Sequence, residues 1–532
     1  MLVINGLSKS FSERFVLKNI TYNFPQSGII ALVGVNGAGK STFLNILCGL
    51  EEYDSGNITK AKNTVIGYLP QEPNPTPEST TLLECMAGEN ILFDLKAELE
   101  IVSKQLEVEY TNEIYEKFER VEEAFRNRDG YAFEYNASKI LIGLGFDENE
   151  LNRNPKSLSG GWRMRLELAK LLMKKPDLLI LDEPTNHLDL PTIIWLENYL
   201  KKFKGVTLFV SHDESLLNRL PNIVLHLKNG NLDEYHGNYD DFLEQYELRE
   251  SGKIAERKSI ENKIKEAQQF VSRFGAKATK ASQAESRKKM IAKLQQEMSL
   301  IEVNRNDMEI NIRIPLIERS GKDVLQMTNC SIGYSEPLLQ NLSLHVSVGQ
   351  KIAIVGANGL GKSTLVKSIV NHIPVLNGEI KLGHNVKIAY YAQDQVNHLD
   401  LNKSVLENLR HINDKLEEVT ARKLLGSFLF KGNDVHKIVR VLSGGEKSRL
   451  GLACLLVQNA NFLILDEPTN HLDILSAEIL SEALKNYEGT VMFISHNRSF
   501  INNTATHILA ISTKRKVYLA KGNLDDIKSD WL

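Results

Sequence analysis

Apolar residues in this chain come in short runs separated by longer stretches of mixed polarity. Runs rich in Val, Ile and Leu at 29–33, 178–181 and 207–210 have the length and β-branched content of strands buried on both faces. Helix-period segments alternate with them, which predicts an α/β chain built on mostly parallel sheets. No apolar run approaches 18 residues, so no membrane-spanning helix is expected. Two segments differ in character. Residues 241–318 are poor in strand formers and rich in Glu, Lys, Gln and Ala; they predict helices at 243–272 and 281–302, turning near Gly275. Residues 88–127 read as a helical hairpin by composition.

The pattern occurs twice. GVNGAGKST at 34–42 returns as GANGLGKST at 356–364, LSGGWRMRLELA at 158–169 as LSGGEKSRLGLA at 442–453, and LLILDEPTNHLD at 178–189 as FLILDEPTNHLD at 462–473. Spacing repeats with the strings. Lys40 to Gln71 and Lys362 to Gln393 are both 31 residues, Ser159 to Asp182 and Ser443 to Asp466 both 23, and Asp182 to His212 and Asp466 to His496 both 30. Only Gln71 to Ser159, 88 residues against 50 for Gln393 to Ser443, breaks the match, so the first copy carries 38 extra residues. The expected organisation is a first domain at 1–240 with its insertion at about 88–127, a helical linker at 241–318, and a second domain at 319–532.

Composition narrows the function. Lys+Arg 64 against Asp+Glu 67 gives a net charge of −3, which by itself predicts no nucleic-acid binding. Four cysteines (Cys48, Cys85, Cys330, Cys454) without a CxxC pair argue against a disulfide scaffold or a Cys-rich zinc site and fit a reducing, cytoplasmic setting. The exception to neutrality is 271–295, where Arg273, Lys277, Lys280, Arg287, Lys288, Lys289 and Lys293 face Glu285 alone, a net of +6. A basic helical tip on a neutral chain is the footprint expected for phosphate-backbone, RNA-type contact. The insertion is the opposite: residues 96–128 hold nine Glu against six Lys+Arg.

GxxxxGKS is a phosphate-binding loop, in which glycines let backbone N–H groups close around phosphates at the positive end of the next helix. The nucleotide-binding residues are then Gly34, Asn36, Gly37, Gly39, Lys40, Ser41 and Thr42 in one copy, and Gly356, Asn358, Gly359, Gly361, Lys362, Ser363 and Thr364 in the other. Lys40 and Lys362 reach the β- and γ-phosphates, while Ser41 and Ser363 ligate Mg2+. Asp182 and Asp466 end apolar runs, where a strand presents a carboxylate to that ion; Glu183 and Glu467 follow, placed to polarise a water in line with the γ-phosphate. His212 and His496, each after an apolar strand and a Ser, can hydrogen-bond the same phosphate. Ser159, Gly160 and Gly161, like Ser443, Gly444 and Gly445, open a helix and form a second anion site, of no local use to a copy already holding ATP. Two composite sites are expected: Lys40, Glu183 and His212 with Ser443 and Gly445, and Lys362, Glu467 and His496 with Ser159 and Gly161.

In every one of these motifs, over nearly its whole length, the chain resembles the ATP-binding cassette superfamily. Two cassettes on one chain, DEPTNHLD in both, LSGGW and LSGGE resemble the ABC-F family in particular. That resemblance implies an ATPase (ATP + H2O to ADP + phosphate) with both sites active, Phe11 and Tyr334 stacked on adenine, Gln71 and Gln393 touching Mg2+ and the attacking water, and Asp189 and Asp473 linking the sites across a closed interface. It further implies a monomer that binds the ribosome near the tRNA exit site, with linker helices directed at P-site tRNA and the peptidyl-transferase centre and the insertion serving as an arm toward the L1 stalk region. Regulation or rescue of translation is the leading expectation. An antibiotic-resistance ribosome-protection factor is the alternative, ahead of a transporter motor subunit or a DNA-repair ATPase.

Overall fold

The computed structural model describes residues 2–11, 14–62, 64–69, 80–186, 188–274, 281–300, 318–392, 399–414, 416–430, 432–470 and 472–526. It divides into two compact units, 1–234 with 310–532, and 235–309.

The first unit holds both copies. In each, a six-stranded sheet is ordered with its first strand fourth: Ile66–Leu69, Leu178–Asp182, Val206–Val210, Gly28–Val33, Ile223–Lys228, Asn231–His236 in one, and Ile388–Tyr391, Phe462–Asp466, Thr490–Ile494, Lys351–Gly356, His507–Ile511, Val517–Lys521 in the other. Five neighbouring strands run parallel, and Val517–Lys521 closes the second sheet antiparallel to His507–Ile511. The central strands are fully buried because every position is apolar or faces a helix, so runs such as LLIL carry no alternation.

Each copy also has a three-stranded antiparallel sheet that the apolar runs did not announce. Its order is Arg14–Asn23, Leu2–Phe11, Ser55–Lys60 in the first copy and Pro337–Ser347, Asp323–Gly333, Asn377–Leu382 in the second. Register shifts after Ile4 and Leu7 break the period-2 pattern in Leu2–Phe11, which hides the strand from a simple alternation count. This sheet buries Leu2, Ile4, Leu7, Leu17 and Ile20 against the helix Lys40–Leu47.

The insertion is a pair of helices, Asn90–Val108 and Asn112–Arg126, joined through Thr111, which caps the second by accepting from the Ile114 N–H. Val102, Val121 and Phe125 are buried, Lys117 pairs with Glu98 at 2.9 Å, and Val108 and Tyr110 are exposed at the turn.

The second unit contains the helices Tyr239–Phe274 and Ala281–Leu300, packed through Ile260, Ile264 and Leu294 with Ile291 and Met298 alongside. At its base the Arg249 guanidinium lies 4.2 Å over the Tyr235 ring. The expected turn at Gly275 lies outside the described residues.

Candidate nucleotide sites

Each phosphate-type loop joins the C-terminal end of a central strand to a helix that starts at its lysine. Gly39 caps the first helix at φ 101, a left-handed conformation, and a Cβ there would fall inside the Val16 side chain. Gly39→Ala is therefore expected to destabilise the first copy by about 1–3 kcal/mol, read as a lower urea midpoint. Lys40 Nζ donates to the carbonyls of Gly34 (2.7 Å) and Val35 (3.3 Å), and Lys362 Nζ to those of Gly356 (2.7 Å) and Ala357 (3.0 Å). Burial lowers the pKa of both lysines, against the pull of nearby carboxylates.

Strand ends bring the acidic residues to these loops. Ser41 Oγ donates to Asp182 at 3.0 Å and Ser363 Oγ to Asp466 at 3.2 Å. Glu183 and Glu467 both sit at φ 51, sparsely populated for a side chain of that size, and their N–H groups donate to the Val210 and Ile494 carbonyls. That local twist turns each glutamate away from its strand and toward the histidine of the neighbouring strand: His212 Nε2 lies 3.3 Å from Glu183 Oε1, and His496 Nε2 3.2 Å from Glu467 Oε1. Burial, with Asp182 beside it, pushes Glu183 up to about 8, and burial likewise raises Glu467. Burial, then the nearby lysine, drives His212 down to about 4 and His496 to about 3. At neutral pH the imidazoles are uncharged, so these close contacts are not ion pairs.

The two copies meet at these residues. A cavity of about 220 Å³ is lined by Ser159, Gly161 and Trp162 of the first copy together with Asn358, Glu467 and His496 of the second. A larger one, about 470 Å³, is lined by Phe11, Lys40, Ser41, Asp182, Glu183 and His212, joined from the second copy by Thr469 and Leu472. Ser443 and Gly445 do not line it. Ser443 is instead closed in a capping box with Glu446, its hydroxyl 2.9 Å from that carboxylate, whereas Ser159 caps its helix without a side-chain bond.

Asp189 joins the copies most directly. Its carboxylate accepts from the Thr192 N–H and hydroxyl on its own helix, from Arg165 at 3.3 Å, and from the Asn358 N–H of the second loop at 2.8 Å. Burial alone would raise its pKa, but Arg165 and these donors outweigh it and hold the group at about 2. Arg165 is itself 2% exposed, donates to the Leu144 carbonyl and lies 4.5 Å over the Trp162 ring. Asp473 caps its own helix through the Ser476 N–H and lies 3.5 Å from Arg449.

The remaining expected residues fall at the cavity mouth, on the surface or outside the described residues. Phe11 is half-exposed at the mouth of the larger cavity, 5.1 Å from the Lys9 ammonium; Tyr334 is exposed. Gln71, Gln393, Lys277 and Lys280 lie outside the described residues, as do the side chains of Arg273 and Lys288; Arg287, Lys289 and Lys293 are exposed on the helix Ala281–Leu300. Sequence reasoning missed Thr469, Leu472 and Arg165 at the junction. The signal was there for the first two, since PTNHLD is identical in both copies although only its final Asp was given a role.

A loop lysine, a Ser–Asp pair, a strand-end glutamate and a histidine, built twice on doubly wound sheets, define an ATP-binding cassette protein. A family model described as ABC transporter matches residues 17–186 and 339–470, and a second of the same description matches 225–312. The chain is 39% identical over 518 residues to a putative ATP-binding protein, YdiF, of Bacillus subtilis, covering 96% of this chain and 80% of that one. It is 35% identical to the probable ATP-binding protein YbiT of Escherichia coli O157:H7 (99% and 98%) and 36% identical to ABC transporter F family member 5 of Arabidopsis thaliana (99% and 76%). The chain belongs to the ABC-F family of ATP-binding cassette proteins. Its fold is also that of the archaeal ribosome recycling factor aABCE1, solved with the ribosomal stalk protein aP1, at TM-score 0.59 and 19% identity over 95% of this chain and 87% of that one. Among the described residues no helix is long and apolar enough to cross a membrane.

Proposed function

We propose that the chain is an ATP-hydrolysing clamp with two composite sites, acting on the ribosome near the tRNA exit site to regulate or rescue translation through P-site tRNA or the peptidyl-transferase centre. The observation that carries the clamp is the cavity where Ser159 and Gly161 of one copy face Glu467 and His496 of the other. The residues fit Mg-ATP: Ser41 with Asp182 and Ser363 with Asp466 are hard-oxygen pairs at the mouths of the loops, and Glu183 Oε1 is buried without a hydrogen bond, an acceptor awaiting a ligand. The ion, when bound, supplies charge neutralisation at the phosphate oxygens. Lys40 and Lys362 give up loop carbonyls for phosphate, Glu183 and Glu467 orient the attacking water, the His212 backbone N–H steadies Glu183 through its Oε2, and the His212 and His496 rings hydrogen-bond the γ-phosphate. Asp189 ties the first copy to the second loop, so closure and occupancy of that loop favour each other.

The ribosomal part of the reading rests on family membership, on the +6 charge of residues 271–295, and on the likeness in fold to a ribosome recycling factor and to ribosome-bound ABCE1. Sucrose-gradient sedimentation with ATP and ribosomes tests it. A hydrolysis-deficient chain is expected to travel with ribosomes and to be released when Lys277, Lys280, Lys288 and Lys289 are changed to Glu. Free protein at the top of the gradient, with ATP demonstrably trapped, would sink it.

A further inference from the structure

A cleft of about 1290 Å³ on the first copy is not a nucleotide site. It opens at the N-terminal ends of the central strands, where Gln26, Asp177 and Gly205 precede them, whereas the phosphate-type loop leaves from the opposite end. Six cations line it: Lys62, Arg128, Lys139, Lys175, Lys202 and Lys204. Among the described residues none of the six forms an ion pair. Of the three carboxylates in the lining, Asp177 is occupied by the Val65 N–H at 2.8 Å.

Between the cations lies an aromatic ledge. Trp195 and Tyr199 are stacked, ring centroids 5.4 Å apart at 30°, and both are only partly buried. Gly143 leaves room for the indole against the helix Phe133–Gly143, since a Cβ there would fall inside the ring. Gln26, Thr64, Asn136 and Asn198 add neutral hydrogen-bonding groups to the walls.

The fold does not require any of this, and the second copy shows why. In the register set by Asp189 and Asp473, Lys175, Lys202 and Lys204 correspond to Asn459, Asn486 and Glu488, and Trp195 and Tyr199 to Ile479 and Ala483. Ile479 and Ala483 are fully buried in an apolar core. The same scaffold therefore folds without the cations and the ledge.

We propose that this cleft binds a single-stranded RNA segment. Unpaired cations attract a phosphate backbone, stacked aromatic faces accept bases without regard to sequence, and amide and hydroxyl groups suit the ribose 2′-hydroxyl. The volume exceeds the roughly 300–1,000 Å³ of ordinary small-molecule sites and fits a few nucleotides. This assignment stands apart from the ribosomal reading above, because it concerns free RNA and no ribosome enters its test.

The test uses the full chain and an eight-residue oligouridine, read by tryptophan fluorescence so that binding at the basic linker does not register as cleft binding. Stacking on Trp195 is expected to quench part of the emission, and Trp195→Ile, which installs the second copy's residue, to abolish that quench. Lys175→Asn, Lys202→Asn and Lys204→Glu together are expected to raise the quench midpoint about tenfold or more and to flatten its log–log salt dependence by about 2, at ~0.7 per phosphate contact. ATP turnover of each variant should stay at the parent level, which shows that the first copy is intact. A quench that survives Trp195→Ile, or a midpoint unmoved by the triple substitution, would overturn the proposal. So would an oligodeoxyuridine of equal affinity, or displacement of the RNA by an octaglutamate peptide at equal concentration, which would make the cleft a DNA or protein site.

Discussion

Glu183→Gln with Glu467→Gln is expected to lower ATP turnover by about 100-fold or more while leaving ATP binding in place, measured as phosphate release against nucleotide retained on a filter. The amide keeps the shape and most of the polar contacts of the carboxyl group but cannot take a proton from water. Each glutamate is at φ 51 and within 3.3 Å of its histidine, so the surrounding backbone already holds the side chain in the one place where the substitution is isosteric. The single variants report on the unequal cavities. If each nucleotide site turns over independently, each single change removes only that site's share. A single change that silences both would show that the sites fire as a unit.

Arg165→Ala should be the most damaging substitution for stability outside the core, costing about 3–5 kcal/mol. It strands the buried Asp189 carboxylate next to a loop that supplies only N–H donors, and it removes the cation packed on Trp162. Arg449→Ala is the internal control, with a smaller expected loss: the Arg449–Asp473 pair is longer, at 3.5 Å, and its side chains are 12% and 11% exposed against 2% and 6% for Arg165 and Asp189. Urea unfolding followed at Trp162 separates the two. Acid adds a second readout with a definite sign. Asp189 is held at about 2 in the folded chain, below an unfolded carboxylate at about 4. Its contribution is therefore complete above pH ~4 and lost as pH falls toward 2. In Arg165→Ala the main lowering influence is gone, so whatever remains of that contribution is lost at higher pH.

Much of this was legible in the residues alone, for identifiable reasons. The fully buried strands announce themselves because both faces are apolar, and the loops because only glycine tolerates their backbone. The small antiparallel sheets were not legible: register shifts after Ile4 and Leu7 scramble the alternation that would reveal them. Nor was the left-handed turn at Glu183 and Glu467, since a glutamate carries no propensity for it and tertiary contacts impose it. The resemblance implied that Asp189 links the copies, but not its partner: the Asn358 N–H lies 169 positions away, and no local pattern encodes such a pair. The basic cleft escaped for a different reason. Its cations come from separate stretches, at 62, 128, 139, 175, 202 and 204, and in a chain of net charge −3 they look like scattered surface lysines until the fold gathers them.

The helical hairpin of residues 90–126 stands on one copy and, among the described residues, has no counterpart on the other. The two copies share every nucleotide motif, so a partner that read only those motifs could be seated in either of two poses. A projection on one half abolishes that ambiguity. It fixes which copy faces such a partner, so the two nucleotide sites, alike in motif, are no longer interchangeable.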